Sequence, residues 1–262
     1  IDKFHQLNFN NITANNNSDT GIYFTGSSDN TLNNIIANNN NNYSIFLEAF
    51  AANNLINSFS TNYGGKGVFI DSAYLNSFTN GIINSSSGNA VEISTNPAND
   101  NVFTNVTLIN TNKSFYDFKI STAGIDGTYL NNMPYIGNYS FDSGGNIVYF
   151  NNSNGELKFL QGINGSGNNL TNDVRILNNS VSVNSFGNPG LNRSADITLY
   201  GIGNRGFTNP AILRDGKPCG NLCTSFTALN APNVIFNVSS WTNYSIGESE
   251  LLVGCGILNK NI

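Results

Sequence analysis

Charge is what this sequence has least of. Only 10% of its 262 residues are Asp, Glu, Lys or Arg, and no Arg occurs before Arg175. The net charge is −5 and the isoelectric point near 4.7, so there is no basic stripe to follow a phosphate backbone, and nucleic acid is excluded as a partner. There is one histidine, His5, with no carboxylate or cysteine cluster beside it in sequence, which makes it a surface or end-cap residue. No Ser/His/Asp, Cys/His or phosphate-loop pattern occurs. The three cysteines and one histidine are too few for a convincing zinc set. No apolar run approaches the length of a membrane span. Ile1-Asp2-Lys3 lacks a signal-peptide pattern and the first residue is not Met, so a processed chain or excised fragment is expected. Low charge alone would fit disorder. However, 39% of residues are hydrophobic and in regular strand-like spacing, with 18 Phe and 11 Tyr, enough for a packed core.

What the chain has in abundance is asparagine, about one residue in five. The asparagines recur with a period. Asn30 opens N-T-L-N-N-I-I, Asn53 opens N-N-L-I-N-S-F, Asn76 opens N-S-F-T-N-G-I and Asn101 opens N-V-F-T-N-V-T, at steps of 23, 23 and 25 residues. The extra residues fall in Asn-Pro-Ala-Asn-Asp, 96–100. Apolar pairs keep the same register: Ile22/Phe24, Ile45/Leu47, Val68/Ile70, Val91/Ile93 and Tyr116/Phe118. A further column reads Asn11, Asn34, Asn57, Asn80 and Asn105. Such self-similarity points to a repeat architecture.

Within each repeat the apolar residues alternate with a period of two, which is strand spacing, and Gly, Asn and Ser fill the gaps as turns. A repeat of this length matches one coil of a parallel β-helix, whose strands stack about 4.8 Å apart. Equivalent residues then lie above one another. A stacked Asn can donate its amide to the next one, and Asn also tolerates the left-handed backbone of tight turns. The Asn11–Asn105 column is therefore expected to be a structural ladder with inward amides. No leucine-rich pattern with helices is visible.

These repeats resemble the right-handed parallel β-helix of the pectin-lyase-like superfamily in its Asn-rich, surface-protein form, over about residues 5–125. The resemblance implies fold more than activity, because that fold hosts lyases, hydrolases, adhesins and stalks. The expected class is all-β: a right-handed parallel β-helix over 1–125, degenerate coils or a cap over 126–187, and a smaller β-sandwich-like domain over 188–262. The middle region offers short strands at 146–150, 156–160, 174–177 and 181–183. A cap is needed because the last coil would otherwise expose recruiting strand edges. In the last region 195–200, 211–214, 233–238 and 241–246 read as antiparallel strands, with a turn at Asp215-Gly216. The stretch from Ala211 to Gly247, with its Cys-Cys loop before F-N-V and Y-S-I-G, resembles the C-terminal β-module of archaeal cell-surface β-helix proteins. That resemblance implies location, not chemistry.

Cys219 and Cys223 are spaced to close a disulfide on one loop, which suits an extracellular chain; free thiols are the alternative. Cys255 is the odd cysteine, a buried thiol or an intermolecular link. Sequons abound, as Asn, Ser and Thr richness alone would produce. Asn11 and Asn105 belong to the ladder column, so the turn sites Asn84, Asn138 and Asn164 are the glycosylation candidates.

One face carries potential chemistry. If the apolar pairs point inward, their neighbours point out. One outward column is Phe46, Phe69, Glu92 and Asp117, and the next is Glu48, Asp71, Ser94 and Lys119. Stacked carboxylates could supply the acid–base pair of glycoside hydrolysis, with Phe46 and Phe69 as platforms for sugar rings. A solvated face balanced by Lys66 and Lys119 is the competing reading, and a weakly held Ca²⁺ is a third. A lyase would need an Arg or Lys base centred among the carboxylates. The expectation is therefore a non-enzymatic extracellular structural or adhesive protein: a stalk, surface-layer or filament component. Its partners would be other surface proteins, identical subunits or glycans, and it would need no cofactor apart from that Ca²⁺. A glycan-binding or glycan-degrading β-helix enzyme is the alternative.

Overall fold

A computed structural model describes residues 5–95 and 97–249. Thirteen strands wind the first part: β1 (Asn8–Thr13), β2 (Thr20–Thr25), β3 (Thr31–Ile36), β4 (Tyr43–Glu48), β5 (Leu55–Asn62), β6 (Lys66–Asp71), β7 (Ser77–Ser85), β8 (Val91–Ser94), β9 (Val102–Asn110), β10 (Phe118–Ile120), β11 (Thr128–Asn131), β12 (Tyr139–Asn146) and β13 (Val148–Asn152). Odd strands β1 to β13 stack in parallel in one sheet, and even strands β2 to β12 in another. The result is a β-solenoid of about six turns.

Corners make the coil. Positive backbone φ recurs at Gln6, Asp29, Asn53, Leu75 and Asp100; at Asn11, Asn34, Ser58, Asn80 and Asn105; at Asn16, Asn39 and Tyr63; and at Gly26, Ala49, Ser72 and Thr95. Each column is one bend repeated coil after coil. A left-handed residue other than Gly costs about 1–2 kcal/mol, least for Asn, whose short side chain bonds locally. This is one reason for the asparagine content.

The other reason lies inside. Asn30, Asn54, Asn76 and Asn101 are buried in line. The Nδ2 of Asn30 donates to Oδ1 of Asn54 at 2.9 Å, Asn54 to Asn76 at 3.0 Å, and Asn76 to Asn101 at 3.3 Å. Each backbone N–H bonds the same oxygen at 3.1 Å, and the second amide hydrogen of Asn54, Asn76 and Asn101 reaches a carbonyl of the preceding coil at 2.9 Å. A buried polar ladder is tolerable only when so fully satisfied.

Two expected registers are corrected here. The buried ladder runs through Asn54, not Asn53, which is an exposed left-handed corner. Asn57 likewise pairs with Asn33, and Ser58 takes the left-handed position between Asn34 and Asn80. One extra residue before β5 causes both shifts. The Asn11, Asn34, Asn80 and Asn105 amides are also exposed, not inward. They still bond along the column, Asn34 to Asn11 at 3.1 Å and Asn105 to Asn80 at 2.9 Å; Asn57 joins obliquely, to Asn33 at 3.1 Å and from Asn80 at 3.3 Å.

The core between the sheets is a set of apolar stacks. Ile22, Ile45, Val68, Val91, Phe118 and Tyr139 form one, and Phe24, Leu47, Ile70, Ile93, Ile120 and Phe141 the next. The Tyr116/Phe118 pairing with Val91/Ile93 is thus corrected by two residues to Phe118/Ile120, because the turn 111–117 is longer than its predecessors. The opposite sheet contributes Leu32, Ile56, Phe78, Phe103 and Leu130, with the Phe78 and Phe103 rings stacked at 5.0 Å.

Besides three short 3-10 turns, the remaining described elements are β14 (Gly155–Phe159), β15 (Ile163–Gly167), α1 (Leu170–Asp173), β16 (Val174–Leu177), β17 (Ser180–Val183), β18 (Ala195–Tyr200), β19 (Pro210–Arg214), β20 (Lys217–Pro218), β21 (Cys223–Ser225), β22 (Asn233–Val238) and β23 (Asn243–Glu248). Both solenoid sheets end in an antiparallel strand: β14 on β13, and β15 on β12. The larger sheet then continues through β18, β22 and β21, reaching eleven strands. A five-stranded sheet, β16-β17-β23-β19-β20, packs on this extension and makes the smaller β domain. Trp241 lies in the shared core, its ring 5.9 Å from those of Phe159 and Tyr244. Tyr139 of the last even strand donates to Asp173 of α1 at 2.7 Å and accepts from Asn188 at 2.6 Å, tying the last coil to the cap.

Candidate functional site

The outer face of the even-stranded sheet gathers the unusual side chains. Register sets Tyr23, Phe46, Phe69, Glu92 and Lys119 in one column, and Thr25, Glu48, Asp71 and Ser94 in the next. On the other flank Tyr43 faces Lys66 across β4 and β6. Asp117 and Lys119 are therefore corrected from their expected columns, displaced by the longer turn before β10. Lys119 stands beside Glu92, while Asp117 is buried at the end of that turn.

The aromatics form a cluster rather than a pair. Ring centroids lie 5.2 Å apart for Tyr23 and Phe46, 5.1 Å for Phe46 and Phe69, 4.7 Å for Tyr43 and Phe46, and 5.0 Å for Tyr43 and Phe69. Such contacts contribute about 0.5–1.5 kcal/mol each beyond area burial. The Lys66 ammonium sits 3.9 Å above the Phe69 ring and 5.6 Å from that of Tyr43. Phe69 is consequently buried, and the accessible part of the platform is Tyr23, Phe46 and Tyr43. Tyr23 lies one rung above Phe46, so extending the column back one coil finds it in the sequence; Tyr43 lies on a neighbouring column and carries no such signal.

The carboxylates divide into different environments. Glu48 and Asp71 are adjacent in register and half-buried, and Glu48 accepts a hydrogen bond from the Tyr23 hydroxyl. Glu92 is only 8% exposed. It accepts from Ser121 Oγ at 2.6 Å, from Asn89 Nδ2 at 2.8 Å, and pairs with Lys66 Nζ at 2.9 Å. Burial pushes its pKa up, but the bonds from Ser121, Lys66 and Asn89 outweigh burial and hold it below the usual carboxylate range. A general acid must hold its proton near neutral pH, so Glu92 is tuned the wrong way for one. Asp117 is the reverse case. Burial raises its pKa, only partly offset by the Lys113 charge and the surrounding backbone N–H groups. Its Oδ2 accepts from the Gly137 N–H at 2.9 Å, whereas its buried Oδ1 has no hydrogen-bond partner among the described residues. With 1% exposure it faces no ligand.

Other candidates are placed as follows. Cys219 and Cys223 are disulfide-bonded, with Cα atoms 5.9 Å apart; Cys255 lies outside the described residues. His5 is exposed and bonds Ser28 Oγ at 2.6 Å. Asn84, Asn138 and Asn164 are all half-buried, and Asn84 Oδ1 is buried without a partner among the described residues. Asn16, Asn42, Asn112, Asn178, Asn192 and Asn243, in sequons, are exposed, as are Asn11 and Asn105. Among the described residues no three His, Cys, Asp or Glu side chains converge as a metal set. A cleft between β13 and the α1–β16 segment has an apolar floor of Leu130, Ile136 and Phe150, with Arg175 at its wall and, among the described residues, no carboxylate lining it.

Compared with known proteins, the chain matches no family model, no curated protein and no solved structure.

Proposed function

We propose that this chain is a non-enzymatic structural or adhesive module of an extracellular cell surface, a rigid stalk or a component of a surface layer or filament. The observation that carries this reading is the eleven-stranded sheet, which runs unbroken from the first coil into the C-terminal β domain. A rod of this kind transmits load through backbone hydrogen bonds without a hinge. The pectin-lyase-like and archaeal cell-surface resemblances of the repeats and the Cys-Cys module support it, as does a disulfide suited to an oxidising compartment. Partners would be other surface proteins, further copies or glycans.

The tuning of the carboxylates supports the non-enzymatic side: Glu92 is committed to Lys66, and Asp117 is sealed. The test is a polysaccharide panel assayed with wild type, Glu92→Gln and Asp71→Asn. No product is expected. Turnover that both substitutions abolish in a folded protein would contradict the reading. A second reading, glycan binding without turnover, is favoured by the Tyr23–Phe46–Tyr43 platform, since aromatic faces suit sugar rings. Phe46→Ala should then remove retention on whichever polysaccharide the wild type binds; unchanged retention would reject that platform.

A further inference from the structure

We infer that Lys66 and Asn89 are poised to form an amide cross-link between adjacent coils, with Glu92 as the proton carrier. This goes beyond the role proposed above and does not rest on it.

Two nitrogen groups meet at one carboxylate oxygen. Glu92 Oε2 lies 2.9 Å from the Lys66 amine and 2.8 Å from the Asn89 amide nitrogen. The nucleophile and the leaving group of an amide exchange are thus held by the same carboxylate oxygen. The Asn89 carbonyl is held from its other side, because Oδ1 accepts the Tyr116 backbone N–H at 2.8 Å. That donor is placed where negative charge develops when an amine adds to the carbonyl carbon. Ser121 anchors the second Glu92 oxygen at 2.6 Å, so the carboxylate cannot swing away.

The surroundings suit the chemistry. Asn89 and Glu92 are each 8% exposed. The Lys66 side chain lies against the Phe69 and Tyr43 rings, which limit its motion while leaving it 29% exposed. Topology supplies proximity: Lys66 opens β6, and the following residue, Gly67, donates its backbone N–H to the Asn89 carbonyl at 3.1 Å. The two residues therefore sit side by side on neighbouring coils, about one strand spacing apart. Held geometry of this kind replaces a bimolecular encounter.

The reaction balances without an oxidant. The lysine ammonium gives a proton to Glu92, and the neutral amine adds to Asn89 Cγ. The tetrahedral oxyanion is held by the Tyr116 N–H. Glu92 passes its proton to Nδ2 and takes one from the former lysine nitrogen. The Cγ–Nδ2 bond breaks, and ammonia leaves with that proton as ammonium. One amide replaces another, and the carboxylate is regenerated. Glu92 is ionised at rest, so the proton it carries comes from the Lys66 ammonium and not from one held beforehand.

The test is intact mass and peptide mapping of the folded, then reduced 262-residue chain from a host that adds no glycans, after prolonged incubation at mildly alkaline pH. The expected result is a mass lower by one ammonia and a branched peptide joining Lys66 to Asn89. Lys66→Arg and Glu92→Gln should keep the full mass, with folding checked by circular dichroism. Full mass and separate linear peptides in the wild type would overturn the proposal. Ammonia loss that the peptide map places at Asn89 and that persists in Lys66→Arg would also overturn it, since it would mark a succinimide there; loss at Asn-Gly pairs such as Asn80-Gly81 is told apart by the same map. A cross-link that forms equally in folded Glu92→Gln would remove Glu92 from its role.

Discussion

Asparagine does two separate jobs in this molecule, and they differ in what a substitution costs. Asn76 is buried and bonds Asn101, Ala51 and Tyr74 with one amide group, while its Oδ1 receives Asn54. Asn76→Leu strands buried donors and acceptors above and below, and should cost about 1–3 kcal/mol or more. Asn34 is an exposed left-handed corner, so Asn34→Ala should cost about 1 kcal/mol through backbone strain, and Asn34→Gly nearly nothing. Urea midpoints rank the three; equal losses at both sites would refute the division of labour. The carboxylates give opposite pH signatures. The folded pKa of Glu92 is lowered, so its stabilisation is present above the unfolded value of about 4.3 and is lost as pH falls through the folded value. The folded pKa of Asp117 is raised, so its ionisation opposes folding at neutral pH, a cost that acid removes. Glu92→Gln should therefore lower the neutral-pH midpoint and Asp117→Asn raise it, with both differences from wild type shrinking as pH falls towards about 3.

The elements show what could be read from the residues and what could not. The even-sheet core columns were legible from Ile22 to Ile93 because every coil between them keeps one length. The odd sheet departs by one residue at Asn53/Asn54 from the register the sequence suggests, since an Asn doublet offers two equivalent registers and only packing chooses. The Phe118 slip arose in a turn whose added residues carry no apolar marker. Whether a given Asn points in or out was not legible, because either role selects the same residue. The Lys66–Asn89–Glu92 group was hidden for a different reason: its members come from two coils, and their meeting depends on side-chain reach. A close approach in the core is equally silent. A Cβ on Gly81 would lie 2.2 Å from the Phe59 ring, the bulky member of its column. Gly81→Ala should cost about 1–3 kcal/mol by overpacking. Phe59→Val in the same chain should recover part of that loss, as thermal melts of the single and double variants would reveal. Simple additivity of the two losses would contradict this account of the contact.

At the scale of the whole molecule, the shared sheet makes one rod rather than two tethered units. Repeat arrays can lose cooperativity between distant coils, but a sheet shared across the junction couples its two ends. The chain holds a single tryptophan, Trp241, buried in the C-terminal β domain and bonded through Nε1 to the Arg193 carbonyl at 2.6 Å. Its fluorescence reports that domain alone. Far-ultraviolet circular dichroism, dominated by the solenoid strands, reports the rest. Equilibrium unfolding in urea followed by both signals is the most direct test. A continuous eleven-stranded sheet predicts coincident transitions with one midpoint and one slope. Tryptophan exposure at a clearly lower urea concentration than loss of the β-sheet signal would contradict it, and would replace the rod by a solenoid carrying an independent domain.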